Sequence, residues 1–169
     1  RKTILATKNQ FVVLGLSFEK GFKPEAGRTM GDFTSFDLNG TTVAKYSVLG
    51  RPVTMIHVWK KEDDSSMETL KVLEQLREQY DSSQFDVVGI VADLLTEDVL
   101  KTTLEETTAN GIQFTNIAPS QDVIDNVLPY VDTFPCTFLV DTDGKVLEVF
   151  DGTKTIEEYQ QIISKYLCE

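Results

Sequence analysis

Chemistry in this 169-residue chain has few candidates: two cysteines, Cys136 and Cys168, a single histidine, His57, and the polar run Glu62-Asp63-Asp64-Ser65-Ser66. The run is the densest of these. Its three carboxylates could offer oxygen ligands to a divalent cation, yet acidic and hydroxyl residues in succession are also what the start of a helix calls for. Ser65 or Ser66 would need a general base to act as a nucleophile. His57 is the one histidine available, and its place inside an apolar stretch reads as a core position rather than a base. The cysteines follow neither a disulfide-rich framework nor a metal-binding spacing, so the reading includes no metal and no cofactor. Lys60 and Lys61 read as a solvated rim, Asp143-Gly144 as a hairpin turn, and no glycine-rich phosphate loop is present.

The acidic run is positioned by what flanks it. Before it, Val53 to Trp59 is a short apolar stretch rich in branched residues, the pattern of a central strand covered on both faces. After it, Met67, Leu70, Leu73 and Leu76 recur at helical spacing, which predicts a helix from about Ser65 to Tyr80. The turn between them therefore lies where backbone N–H groups and the helix dipole point outward, a setting that favours anions and thiolates.

The rest of the chain supplies the frame. Residues 10–18 read as a strand and residues 19–31, with Pro24 and three glycines, as a linker. Phe33, Phe36 and Leu38, then Asn39-Gly40, then Thr41 to Val43 predict a hairpin closed by a tight two-residue turn with positive dihedrals. Lys45 to Leu49 is a short helical or turn segment stopped by Gly50-Arg51-Pro52. Asp86 to Ala92 reads as a strand parallel to the first, joined to it by the helix in a right-handed crossover. Thr96 to Asn110 is a helix capped by Thr96. Phe114 to Ile117 is a short strand, and Asp122 to Leu128 a helical turn. Thr137 to Val140 and Val146 to Phe150 form an antiparallel hairpin, and Ile156 to Leu167, opened by Thr155, is the last helix. Parallel strands first and a hairpin last predict an α/β fold, a central mixed β-sheet with helices on both faces and an N-terminal β-hairpin.

The length suits one domain. A net charge of −11 disfavours nucleic acid and anionic membrane surfaces, which would repel the chain. No run approaches the roughly 18 apolar residues that a membrane span requires. Lys2 and Lys8 before FVVLGLSF have a faint signal-sequence character, but the run is short and no small-residue cleavage site follows.

Three segments taken together, GDFTSFDLNGTTVAKYSVLGRPVTMIHVW (Gly31 to Trp59), FDVVGIVAD (Phe85 to Asp93) and TFPCTFLVDTDGKVLEVFDG (Thr133 to Gly152), resemble the TlpA/ResA-like thiol-disulfide oxidoreductases of the thioredoxin superfamily. The resemblance spans roughly residues 29 to 167 and implies a thioredoxin-like domain over 29–169, preceded by an N-terminal extension at 1–28. In that family the strand's Trp is followed by Trp-Cys-x-x-Cys. Counting on from Trp59 puts Glu62 at the second Trp and Asp63 and Ser66 at the two cysteines, so Asp63-Asp64-Ser65-Ser66 replaces the dithiol. The resemblance further implies that Phe134-Pro135 is a cis bond facing this turn, and that Trp59, Glu62, Phe134 and Pro135 line a groove for an extended peptide.

Cys136 follows that proline and would lie near the turn, where Glu62, Asp63 and Asp64 would raise its pKa and leave it a half-buried small residue rather than a nucleophile. Cys168 beside the C-terminus reads as a bystander. Peroxiredoxin chemistry would need a cysteine in the first turn of the helix, which Met67 and the two serines cannot supply. Two functions stay open: a redox-inactive module that binds a peptide or protein partner, and a thiol-disulfide oxidoreductase or antioxidant protein acting through Cys136. The relatives implied are bacterial and commonly exported, which points to an exported or lipid-anchored protein, with the cytoplasm as the alternative.

Overall fold

The computed structural model describes residues 24–31, 34–94, 96–120, 131, 133–150 and 152–167. The strand read at 10–18, the helical turn at 122–128, Phe33 and Cys168 lie outside them. In chain order the elements are β1 (Thr34–Asp37), β2 (Thr42–Ala44), α1 (Lys45–Val48), β3 (Val53–Trp59), α2 (Ser66–Glu78), β4 (Phe85–Val91), α3 (Glu97–Ala109), β5 (Thr115–Ala118), β6 (Cys136–Val140), β7 (Val146–Phe150) and α4 (Ile156–Ile163). The strands form one mixed seven-stranded sheet in the order β2-β1-β5-β4-β3-β6-β7.

β3 is the axis of this sheet. Every one of its residues is buried, because it is paired along both edges and covered on both faces. It runs parallel to β4, from Val53 opposite Phe85 to Trp59 opposite Val91, and antiparallel to β6, from Thr54 opposite Val140 to Val58 opposite Cys136. Alternate side chains go to opposite faces. Val53, Met55 and Trp59 join a core with Leu70, Leu73 and Leu76 of α2 and Tyr159 and Ile163 of α4, against which Val99, Leu100 and Leu104 of α3 pack. Ile56 and Val58 join a second core with Val48 of α1, Leu49 and Met30. Each fully buried leucine of α2 contributes about 2 kcal/mol through its apolar area. Helices thus lie on both faces of the sheet, as the sequence pattern predicts.

Local chemistry explains the element ends and corrects three expectations. The β1–β2 hairpin does not close with a two-residue turn. Its loop is Leu38-Asn39-Gly40, in which Asp37 N–H donates to the Thr41 carbonyl (2.9 Å) and only Gly40 takes a positive φ, 84°. The Asp37 carboxylate accepts from the backbone N–H of both Asn39 (2.9 Å) and Thr41 (3.0 Å), which favours the longer loop over the tight one. The β6–β7 hairpin repeats this arrangement with Asp141 accepting from Asp143 and Lys145 and with Gly144 at φ 88°.

The second correction concerns the segment read as a linker, part of which is bonded to the sheet. Gly27 N–H donates to the Val146 carbonyl, Val146 N–H to that of Arg28, and Met30 N–H to that of Gly144, while the Met30 side chain is 1% exposed. The third concerns the last helix, which stops at Ile163 instead of reaching Leu167. Lys165 and Tyr166 N–H bond to carbonyls three residues back, a tightened final turn that still packs Tyr166 and Leu167 on the core.

Candidate functional site at the turn after the central strand

β3 and β6 bring the two halves of the site together. β3 leaves the sheet at Trp59 into the acidic turn, and β6 enters it at Cys136 directly after the Phe134–Pro135 peptide bond, which is cis. Val58 lies opposite Cys136 in the ladder, so the turn and the proline segment emerge side by side. The Lys60 ammonium sits 4.5 Å from the centre of the Phe134 ring, a cation–π contact bridging the two. Phe134, Pro135 and Cys136 are half-buried, and Glu62 is exposed.

Within the turn each polar side chain has a structural task. The Asp63 carboxylate accepts from the Ser65 backbone N–H (3.0 Å) and the Ser65 hydroxyl (2.8 Å), and the Asp63 carbonyl accepts from Ser66 N–H. These bonds, the backbone one foremost, hold the Asp63 carboxyl below its ordinary pKa. Asp63 therefore opens the helix through one preliminary turn. Ser65, the residue directly before α2, has helical dihedrals and no capping side-chain bond, so the capping capacity read across all four residues resides in Asp63. Ser66 is 6% exposed, and its hydroxyl donates to the Lys60 carbonyl at 2.6 Å. That places Ser66 as a closure of the turn on itself.

His57 does not join Ser65 or Ser66 in a catalytic arrangement. It is 1% exposed, its Nδ1 bonds Thr137 Oγ1 across the sheet at 2.7 Å, and burial depresses its pKa to about 3, leaving it neutral at physiological pH. Trp59 departs from the groove reading. It is 1% exposed and its indole N–H donates to Asn116 Oδ1 at 2.9 Å, so it supports the turn from beneath and presents no surface to a ligand. Among the described residues no group of three or more His, Cys, Asp or Glu side chains is placed to hold a metal ion.

Two features of the site lie outside the reading of the acidic run. Asp93, just past β4, accepts from Lys61 N–H (2.6 Å) and Glu62 N–H (2.9 Å) and so fixes the first half of the turn. Its sequence signal is an acidic residue at the C-terminal end of a parallel strand beside β3. The other feature is a wall provided by α3. A depression of about 420 Å³ is lined by Lys61, Glu62, Asp93, Asp98, Val99 and Thr102. A smaller one of about 170 Å³ lies among Lys61, Asp63, Asp64, Ser66, Met67 and Glu106. Lys61 borders both and is paired with Glu106 at 3.1 Å.

No family model matches the sequence, and no curated protein matches it. Solved structures do. A thiol:disulfide interchange protein of the thioredoxin family from Chlorobium tepidum superposes with a TM-score of 0.70 at 17% identity, covering 85% of this chain and 99% of that one. The thioredoxin domain of a thiol-disulfide oxidoreductase from Bacteroides vulgatus gives 0.69 at 17% identity, with 85% and 99% covered. StoA from Bacillus subtilis gives 0.61 at 16% identity, with 78% and 95% covered. The fold is thioredoxin-like. The chain carries, at the turn where the resemblance places a dithiol, the side chains of Asp63 and Ser66.

Proposed function

We propose that this protein is a redox-inactive thioredoxin-like binding module that holds a peptide or protein partner along the surface of Glu62, Asp64 and Ser65, which are exposed, and the half-buried Phe134-Pro135 segment. The observation that carries this reading is the state of the two positions aligned with cysteines: Asp63 is a hydrogen-bonded cap and Ser66 a buried donor to the Lys60 carbonyl. Dithiol exchange needs one thiolate to attack and a second thiol to resolve the mixed disulfide. A carboxylate and a hydroxyl can do neither. A second reading, a thiol-disulfide oxidoreductase or antioxidant protein using Cys136, draws support from the half-buried position of that thiol beside Pro135.

Reduction of insulin with dithiothreitol as electron source separates the two. Wild type and Cys136→Ser are expected to give the same background rate, and Asp63→Cys combined with Ser66→Cys to raise it. Turnover by wild type that is lost in Cys136→Ser would replace the binding module with a single-cysteine enzyme. The same motif resemblance supports an extracytoplasmic location, which fractionation of the source cells tests. Among the described residues no helix is long and apolar enough to cross a membrane.

A further inference from the structure

His57 is buried within the frame of the site, one residue from where that frame ends. In the β3–β6 ladder it lies opposite Thr137, and only the Val58–Cys136 pair remains beyond it before β3 turns away and β6 runs back to Pro135. On its other side stands Gly89 of β4. Its Nδ1 is bonded to Thr137, while its Nε2 is buried with no partner among the described residues.

Among the described residues no countercharge faces it. On the same sheet face β3 presents Met55 and Trp59, β4 presents Val87 and Val91, and β6 presents Leu139. From the helices come Leu70 and Leu73 of α2 and Tyr159 of α4, whose neutral hydroxyl accepts from Lys154 N–H. Glu74 of α2 is committed to Arg77 and to the N–H groups of Gln113 and Phe114. No charged group contributes to the lowered pKa of His57, whose cause is burial alone.

We propose that His57 is an acid-sensitive latch: its protonation opens the last pair of the β3–β6 seam, Val58–Cys136, and lets the acidic turn and the Phe134-Pro135 segment separate while the remainder of the sheet stays paired. The neutral imidazole with its proton on Nδ1 donates to Thr137 Oγ1 and leaves Nε2 a bare acceptor that demands no partner. An imidazolium carries N–H on both nitrogens, and the one at Nε2 would be buried with neither acceptor nor counterion, which is costly. The seam ends one pair beyond His57, so the opening that disturbs the fewest pairs is at Val58–Cys136.

The sign follows from the ordinary value of 6.5 in the opened state against about 3 in the closed one. The closed seam is favoured fully above 6.5, and the ratio of open to closed rises about tenfold for each pH unit below it until the closed-state value is approached. This inference concerns the frame and holds whatever the site binds.

Amide hydrogen exchange of the whole chain between pH 7 and 4.5, corrected for the intrinsic pH dependence of exchange, reads it directly. Opening at residues 58 and 136 should rise about tenfold per unit below pH 6, with residues 53–56 and 138–140 unmoved. Emission from Trp59, the one tryptophan of the chain, should shift to the red over the same range. His57→Gln should abolish both responses. If that variant does not fold, Thr137→Val, which keeps the imidazole and removes its closed-state bond, should raise seam opening at every pH and keep the rise below 6.5. Seam exchange in wild type that does not respond to pH, a response that persists in His57→Gln, or opening spread evenly along the ladder would overturn the latch.

Discussion

Gly89 shows how tightly the residues beneath the site are fitted. A Cβ at this position would lie 2.0 Å from Asn116 Oδ1 and 3.1 Å from Trp59 Nε1, the two partners of a buried hydrogen bond. Gly89→Ala must displace Asn116 and break that bond, so a loss of about 3 kcal/mol in urea-denaturation stability is expected, the sum of overpacking and an orphaned buried polar group. Asp93→Ala removes the acceptor of two turn N–H groups and should cost about 2 kcal/mol, with faster exchange at the Lys61 and Glu62 amides as its local signature. The acidic run itself was legible in sequence because its members are contiguous. Asp93 was not, since it meets its partners across 32 and 31 residues and only after β3 and β4 have paired. The groove role of Trp59 comes from the family resemblance, which fixes the residue's place at the strand end and not the side its indole faces; here it is turned under the turn, onto Asn116.

At the scale of elements, the helix starts were the most readable features. Thr96 Oγ1 accepts from Val99 N–H, and Thr155 and Glu158 form a reciprocal capping box at α4. Thr155→Ala should lower stability by about 1 kcal/mol, measured as a shift of the urea midpoint with an unchanged slope. In the first hairpin Asn-Gly alone predicts a two-residue turn, whereas the Asp three residues before the glycine is what sets the longer loop. The pattern Asp-x-x-Gly occurs at both 37–40 and 141–144, and in both the carboxylate collects two N–H groups. Exchanging the two loop sequences should therefore leave the thermal midpoint within a degree or two.

Across the whole molecule, periodicity gave the strands and helices, but pairings such as Ser35 with the Ala118 carbonyl, 83 residues apart, depend on packing that no local pattern encodes. Charge is the property that sequence alone fixes at this scale. With a net charge of −11, self-repulsion opposes the folded state at low ionic strength, so raising salt from about 20 to 200 mM should lift the melting temperature by a few degrees. The same charge predicts no retention on DNA or on anionic vesicles at physiological salt, which co-sedimentation checks. The segment of residues 27–30 has a meaning at this scale as well. An exposed sheet edge is a template for another chain, and here the start of β7 is already occupied by the molecule's own backbone, held by the buried Met30 and by the Lys45 ammonium on the Met30 carbonyl at 2.6 Å. Met30→Asp would lift that cover without touching the turn, and the loss would be read as self-association in light scattering, colloidal behaviour governed by one methionine.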